Sequence, residues 1–158
     1  MKKLIAMTEF IKLSQVDNID KFNKYIKSAA EIESRSFADC WNERTLCELL
    51  SMTNYDIIVS VSEGLVTGYC CFSSVFDEAE ILRIAVIPEK RNCGQGYVLL
   101  EHILKMLSAG GASNVFLEVR TGNIPARRLY EKLGFENIYV RENYYSDGED
   151  AVVYRKSI

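Results

Sequence analysis

The feature that most constrains the fold is a glycine-containing loop between a strand pattern and a helix pattern. The loop runs from Arg91 to Gly96, after an apolar run at 84–86 and before apolar residues at helical spacing. Its two glycines let the backbone approach a ligand closely, and the positive end of the following helix favours a phosphate, which Arg91 could also attract. The loop lacks the six-position dinucleotide fingerprint and the Lys-Ser/Thr of a P-loop. It therefore predicts a phosphate-binding strand-turn-helix unit, or a turn that only starts a helix, and argues against nucleoside-triphosphate hydrolysis.

Hydrophobic periodicity on both sides of this loop predicts elements in the order β-α-α-β-β-β-α-β-α-β-β. Alternating apolar residues indicate strands, and apolar residues three and four apart indicate amphipathic helices. Asn42 is a candidate N-cap, and Gly134 is typical of a helix C-cap. This order predicts a single α+β domain over residues 1–158. The predicted strands lie at 9–13, 55–61, 65–76, 80–87, 114–119, 135–141 and 150–155, and the predicted helices at 17–32, 42–50, 94–107 and 123–133.

Composition and charge exclude several classes of protein. With 48% hydrophobic residues the chain can bury a core, and its net charge of −3 argues against broad nucleic-acid binding. The five cysteines show no C-x-x-C spacing, so we expect neither a zinc site nor a disulfide framework. The first apolar run ends at Thr8, which makes it too short for a signal peptide or a membrane span. We therefore expect a cytoplasmic protein without a metal, whose residues 1–7 form a disordered or extended N-terminus, with Met1 or Met7 as the start.

Two segments of the chain carry a resemblance to a known superfamily. Residues 81–88, the glycine loop and residues 99–102 (Leu-Leu-Glu-His) resemble motif A of the Gcn5-related N-acetyltransferases, the GNAT superfamily. Residues 117–120 (Leu-Glu-Val-Arg), Asn123 and residues 129–135 (Leu-Tyr-Glu-Lys-Leu-Gly-Phe) resemble motif B of the same superfamily. The element order predicted from periodicity is also the order of that superfamily.

Within the superfamily, the C-terminal part is most similar to one group of enzymes. Residues 141–145 and 147–151 resemble the bacterial ribosomal-protein-alanine N-acetyltransferases, the RimI family. The resemblance covers Glu78–Arg155. Before it, only Phe37 and Trp41 match, and the three residues between them are two more than the family usually has. The spacing leaves open whether these two aromatic residues belong to the core or to an acceptor groove.

The resemblance implies a GNAT fold, an α+β architecture in which a mixed sheet of about seven strands is flanked by four helices. It implies acetyl-CoA as co-substrate, with the backbone of Ile84, Ala85 and Val86 along the pantetheine arm. Asn123 would then lie near the reactive end of the coenzyme. Glu118 matches the family's general base and Tyr130 its general acid. The residues implied to hold the diphosphate are Asn92, Cys93, Gly94, Gln95, Gly96 and Tyr97.

The chemistry of acetyl transfer to an amine independently requires such groups. An α-amino group has a pKa of about 7.7–8.0, so a carboxylate must take its proton at neutral pH, and a phenol can protonate the departing thiolate. Without the motifs, Glu118 would be a solvated strand residue, Tyr130 a core residue and Asn123 only an N-cap. A catalytic thiol at Cys93 has no partner, because the single histidine, His102, lies two helical turns away.

The implied function is direct transfer of acetyl from acetyl-CoA to a protein N-terminus, by resemblance the N-terminal alanine of the eighteenth small-subunit ribosomal protein. A first alternative keeps the coenzyme and changes the acceptor to a small amine, because one fold serves many acceptors. A second alternative is a module that binds acyl-CoA without chemistry, although such a module would need neither Glu118 nor Tyr130. No nucleic-acid or membrane partner is expected.

Overall fold

Seven strands form one mixed sheet in a computed structural model that describes residues 7–158. The strand order is β1-β2-β3-β4-β5-β7-β6, and every neighbouring pair is antiparallel except β4 and β5, which are parallel. The predicted extension at residues 1–7 lies, apart from Met7, outside the described residues. The strands are β1 (Thr8–Lys12), β2 (Tyr55–Ser62), β3 (Leu65–Val75), β4 (Glu78–Val86), β5 (Asn114–Arg120), β6 (Glu136–Arg141) and β7 (Ala151–Ser157).

In the described part of the chain four helices flank the sheet, and asparagine side chains cap three of them. Asn18, Asn42 and Asn123 each accept a hydrogen bond from the backbone N–H three residues further on, at 2.9, 2.9 and 3.3 Å. Each cap satisfies a donor that the first helical turn leaves free. None of the helices within residues 7–158 is long and apolar enough to cross a bilayer. The helices are α1 (Ile19–Ser36), α2 (Glu43–Leu50), α3 (Gln95–Ala109) and α4 (Ile124–Lys132).

Each face of the sheet has its own hydrophobic core. Helices α3 and α4 cover one face, where Leu99, Ile103 and Leu117 are almost inaccessible to solvent. Helices α1 and α2 cover β1 to β4 on the other face, where Ile57 and Tyr69 are fully buried. Successive residues on a strand point to opposite faces of the sheet. A residue's position along its strand therefore decides on which face its side chain lies.

The predicted α+β class, element order and GNAT fold are confirmed, and the differences are confined to element ends. The first strand stops at Lys12 because Leu13–Gln15 form a 3-10 turn, and α1 starts at Ile19, after its cap. The turn between β2 and β3 places Glu63 and Gly64 at φ 52° and 77°, a pair that matches the right-handed twist of a hairpin. The last strand continues to Ser157, two residues beyond the predicted end.

Candidate active site

The predicted phosphate loop has the backbone geometry of an anion site. Gly94 is the N-cap of α3 with φ 86°, a left-handed conformation that a glycine adopts without strain. The first intrahelical hydrogen bond is donated by Val98 to the Gly94 carbonyl at 3.1 Å. The N–H groups of Gln95, Gly96 and Tyr97 therefore precede the helical ladder and stay available to a ligand. With the helix dipole behind them, these amides suit a diphosphate.

Gly96 is required here for close packing as well as for ligand approach. A Cβ at this position would lie 3.3 Å from the Leu129 side chain on α4 and 3.9 Å from that of Val86 on β4. The start of α3 is therefore pressed against both α4 and the end of β4. This packing holds the phosphate loop in a fixed position relative to the strand that precedes it.

Strands β4 and β5 separate halfway along their length. Their pairing runs only from Glu78–Asn114 to Ile81–Leu117, although β4 continues to Val86 and β5 to Arg120. The cause is visible in the pairing of β4 with β3, where the register skips Leu82. A bulge of this kind bends the strand away from its neighbour. Beyond Leu82, the β5-facing edge of residues 83–86 has no strand partner among the residues that the structure describes, so its backbone groups can pair with an extended ligand.

Glu118 lies at this opening and has defined polar partners. Its side chain is 20% exposed, and its carboxylate forms an ion pair with Arg141 Nε on β6 at 3.0 Å. The pKa of Tyr144 is raised, chiefly because its hydroxyl hydrogen-bonds to the Glu118 carboxylate. Burial, followed by repulsion from Glu118, raises the pKa of the neighbouring Glu80 carboxyl. The Glu118 carboxylate is thus fixed by polar partners at the edge of a cleft, and it is not a freely solvated strand residue.

The cleft beside Glu118 has a volume of about 320 Å³ and lies on the face of the sheet that α3 and α4 do not cover. It is bounded by the end of β3, the start of β4, and parts of β5, β6 and β7. Three carboxylates and one guanidinium contribute to it. Its lining includes Ser73, Glu78, Glu80, Phe116, Glu118 and Arg141.

Tyr130 lies on the other face of the sheet. It is 6% exposed and packs against the rings of Phe135 and Tyr154, with centroids 5.9 and 6.0 Å away. Burial raises the pKa of its hydroxyl well above the ordinary value, so the phenol keeps its proton across the physiological range. Tyr130 therefore occupies a core position, and its protonated hydroxyl is also compatible with a role as proton donor.

Glu118 and Tyr130 are therefore separated by the sheet. Leu117 and Val119 belong to the same buried cluster as Tyr130, and Glu118, between them on β5, must face the opposite side. The two side chains can act on one molecule only through the opening between β4 and β5. The predicted pair of catalytic groups therefore requires a site that passes through the sheet.

The other predicted residues have identifiable structural contacts. Asn123 is the N-cap of α4 and uses its side-chain oxygen for Ala126 N–H. The Cys93 thiol donates to the Lys90 carbonyl at 2.8 Å, and no partner activates it within the described residues. Arg91, expected to add charge for a phosphate, instead bonds to the Val86 carbonyl at 2.9 Å and to the Ser36 hydroxyl at 3.1 Å. It fastens the loop to β4 and to α1.

Sequence reasoning missed the polar residues that surround Glu118. Arg141 and Tyr144 belong to a segment that the resemblance had singled out, but the pattern assigned no partner to either. Glu80 and Arg83 are spaced like ordinary exposed strand residues, and only the folded sheet shows that they share a face with Glu118. Between residues 7 and 158, no three His, Cys, Asp or Glu side chains are gathered as metal ligands.

Comparisons with known proteins agree with this geometry. The model of the acetyltransferase (GNAT) family matches residues 23–135. The [ribosomal protein bS18]-alanine N-acetyltransferase of Escherichia coli (strain K12) is 36% identical over 131 residues, which are 81% of this chain and 88% of that protein. The enzyme of the same name from Haemophilus influenzae is 34% identical over 145 residues, 89% of this chain and 94% of its own.

Solved structures show the same similarity. The crystal structure of the ribosomal-protein-S18-alanine N-acetyltransferase from Escherichia coli superposes with a TM-score of 0.82 at 32% identity, covering 96% of this chain and 94% of that chain. A GNAT family acetyltransferase from Elizabethkingia anophelis with acetyl-CoA bound has a TM-score of 0.74 at 14% identity, over 96% and 99% of the chains, and shows the shared fold.

The fold, the loop and the open sheet define an acyl-transferring enzyme of the GNAT type. The chain belongs to the GNAT acetyltransferase family and is an N-acetyltransferase. Both of these relatives are named for alanine N-acetylation of a ribosomal protein.

Proposed function

We propose that this chain transfers the acetyl group of acetyl-CoA to the N-terminal α-amino group of a protein, with the N-terminal alanine of ribosomal protein bS18 as acceptor. The observation that carries the proposal is the opening between β4 and β5, with Glu118 on one face and Tyr130 on the other. The acceptor is inferred from the similarity to enzymes named for that reaction. Because that acceptor is a ribosomal protein, the proposed location is the cytoplasm.

The residues around the glycine loop fit the coenzyme. The amides of Gln95, Gly96 and Tyr97 have no helical acceptor and would hold the diphosphate, together with the preceding residues Asn92–Gly94. The unpaired edge of Ile84–Val86 would pair with the amide groups of the pantetheine arm, as a strand pairs with its neighbour. Asn123, exposed at the start of α4, would contact the arm near its reactive end. Bound in this way, acetyl-CoA supplies an acetyl group activated as a thioester.

Glu118 is proposed as the general base. Its carboxylate takes a proton from the α-ammonium group, directly or through one water, and leaves the amine free to attack the thioester carbonyl. Arg141 holds the carboxylate at the cleft edge and must share it with the incoming ammonium. A backbone N–H of residues 84–86 would stabilise the negative charge that develops on the thioester oxygen.

Tyr130 is proposed as the general acid. As the new N–C bond forms and the C–S bond breaks, the phenol gives its proton to the departing sulfur. Its buried hydroxyl is protonated at neutral pH, as a proton donor must be. No enzyme side chain needs to carry the acetyl group, so both substrates are proposed to bind together in a ternary complex.

The proposal is tested by the intact mass of ribosomal protein bS18 after incubation with the enzyme and acetyl-CoA. We expect a gain of one acetyl group, located at the N-terminal alanine by fragmentation. The matched control is a peptide of the same sequence whose α-amine is already acetylated, and it should gain nothing. Acetylation of lysine side chains alone, or no gain in mass, would contradict the proposed acceptor.

A small amine is the second candidate acceptor, because the cleft is acidic. Glu78, Glu80 and Glu118 line it with Arg141 as the one cationic residue in its lining, and such a cleft attracts polyamines. A panel of amines assayed beside the bS18 peptide separates the two candidates. Release of the CoA thiol, followed with a thiol-reactive dye, identifies turnover on any acceptor. Acetyl-CoA binding without thiol release would instead favour a non-catalytic binding module.

A further inference from the structure

A buried carboxylate lies beneath the loop that joins α1 to α2, residues 37–42. Glu33, in the last turns of α1, is 0% exposed. It accepts hydrogen bonds from the Tyr69 hydroxyl on β3 and from the Trp41 backbone N–H, the latter at 3.0 Å. A buried carboxylate needs such partners, because leaving it unpaired is costly. Through Trp41, the core of the protein therefore fixes the far end of this loop.

Arg83 on β4 binds the same loop from the side of the sheet. Its Nε lies 3.8 Å from the Glu33 carboxylate, and its terminal nitrogen is 2.9 Å from the Asp39 carboxylate and 3.3 Å from the Asp39 carbonyl. The guanidinium carbon lies 4.4 Å from the centre of the Phe37 ring and 4.7 Å from the Trp41 ring. One side chain thus contacts every second residue of the segment 37–41.

The position of Arg83 links this loop to the reaction centre. Arg83 directly precedes Ile84, at the unpaired edge where β4 leaves β5, and Glu118 faces the same side of the sheet. Arg120, two residues after Glu118 on β5 and therefore on the same face of the sheet, has its guanidinium carbon 3.9 Å from the centre of the Tyr145 ring in the β6–β7 loop. The residue 37–42 loop, bound by Arg83 on β4, and the β6–β7 loop, bound by Arg120 on β5, therefore lie on the Glu118 face of the sheet beside the opening between the two strands.

We propose that Arg83 is a positioning residue that holds the residue 37–42 loop in place as a wall of the acceptor site, next to the opening between β4 and β5. The half-buried rings of Phe37 and Trp41 would then contact the first side chains of the acceptor. This inference rests on the proposed function, since it concerns the acceptor of the same site. Arg83 does not touch the reacting atoms, and it acts through the loop.

The experiment uses Trp41, the single tryptophan of the chain, as a reporter of the loop. In Arg83→Lys the charge remains, but the planar contacts with two rings and with Asp39 are lost. We expect Trp41 to become more accessible to acrylamide quenching. We expect the KM for the bS18 N-terminal peptide to rise about tenfold, the scale of one lost charged hydrogen bond. The kcat and the acetyl-CoA Kd should remain at their wild-type values.

Two further variants keep the test decisive. Asp39→Asn removes only an exposed partner, with its side chain 73% accessible, so this variant should fold and show a smaller change in the same direction. Arg44→Lys alters an arginine whose side chain is 86% exposed and paired with Glu48 on α2, and it should change nothing.

Unchanged Trp41 quenching in Arg83→Lys, or equal losses in acceptor KM and acetyl-CoA Kd, would overturn the inference. Failure of the wild-type enzyme to acetylate the peptide would instead contradict the proposed function. The quenching measurement needs no acceptor, so it tests the contact between Arg83 and the loop in either case.

Discussion

The proposed coenzyme side and the proposed acceptor side of this enzyme are built in different ways. On the coenzyme side, a short local segment makes the site, since the loop at 91–96 and the first turn of α3 supply backbone amides. On the acceptor side, side chains far apart in sequence make the site. Arg83 contacts Asp39, 44 residues earlier, and Arg120 binds Asp147 and Glu149, 27 and 29 residues later.

This contrast corresponds to two kinds of ligand. The coenzyme is the same in every reaction cycle, whereas the acceptor has to be selected from many amines. A diphosphate can be bound by backbone groups, which every sequence has, provided that glycine permits the conformation. An acceptor is selected by side chains held in clusters. Substitutions on the coenzyme side should therefore change the acetyl-CoA Kd, and those on the acceptor side should change acceptor kinetics.

The largest expected effect is a loss of kcat on substitution of Tyr130, which is buried on the α3–α4 face of the sheet. Tyr130→Phe removes the proposed proton donor without changing the volume of the core, and we expect kcat to fall by about 10² to 10⁴. The acetyl-CoA Kd, measured by calorimetry, should stay within the error of the wild-type value. Tyr139→Phe, at a tyrosine 61% exposed on β6, is the control and should retain full activity. Wild-type kcat in Tyr130→Phe would remove this tyrosine from the mechanism.

Glu118→Gln should show the next largest effect, and the effect should depend on pH. At pH 7 we expect kcat/KM to fall by about 10², because the α-amine then depends on the base for deprotonation. Above its pKa of about 7.7–8.0 the amine is already neutral, so the defect should shrink as the pH rises to 9. Glu136→Gln, on the exposed strand β6, is the matched control. A defect of constant size across the pH range would argue that Glu118 only positions the acceptor.

Gly94→Ala should weaken coenzyme binding by about tenfold, because its strained left-handed backbone would move the amides of the α3 N-terminus. Gly64→Ala is a close control. Gly64 has φ 77°, against 86° at Gly94, and an added Cβ at Gly64 would have no neighbour within 4 Å. Both variants should lose similar stability in urea, and only Gly94→Ala should raise the acetyl-CoA Kd. Equal Kd values in the two variants would separate the loop from coenzyme binding.

The smallest expected effect concerns stability beneath the acceptor wall. Burial raises the pKa of the Glu33 carboxyl in the folded protein, so the folded state holds this proton more tightly than the unfolded chain does. This contribution to stability is complete below the ordinary pKa of 4.5 and is lost as the pH rises through the folded value. In urea unfolding between pH 4 and pH 7, Glu33→Gln should therefore gain stability relative to the wild type. The opposite trend would mean that Arg83 outweighs the cost of burial.

The sequence predicted the fold and the glycine turn of the proposed coenzyme site because both depend on local signals. Apolar periodicity predicted all eleven elements, and the glycine spacing predicted the turn into α3. The partners of Glu118 and Arg83 could not be predicted in this way, because they depend on strand register and on the bulge at Leu82. Arg91 shows that a local pattern alone can also mislead. Its position in the sequence suggested that it contacts a phosphate, but its guanidinium hydrogen-bonds to the Val86 carbonyl and the Ser36 hydroxyl.

The central claim is that the reaction takes place through the opening between β4 and β5. A crystal structure with a bisubstrate analogue, in which CoA is joined through its acetyl group to the amine of an alanine-started peptide, measures this directly. We expect the diphosphate on the amides of residues 95–97, the acetyl group between the two strands, and the peptide on the Glu118 face. A diphosphate bound elsewhere, or both halves of the analogue on one face of the sheet, would contradict it.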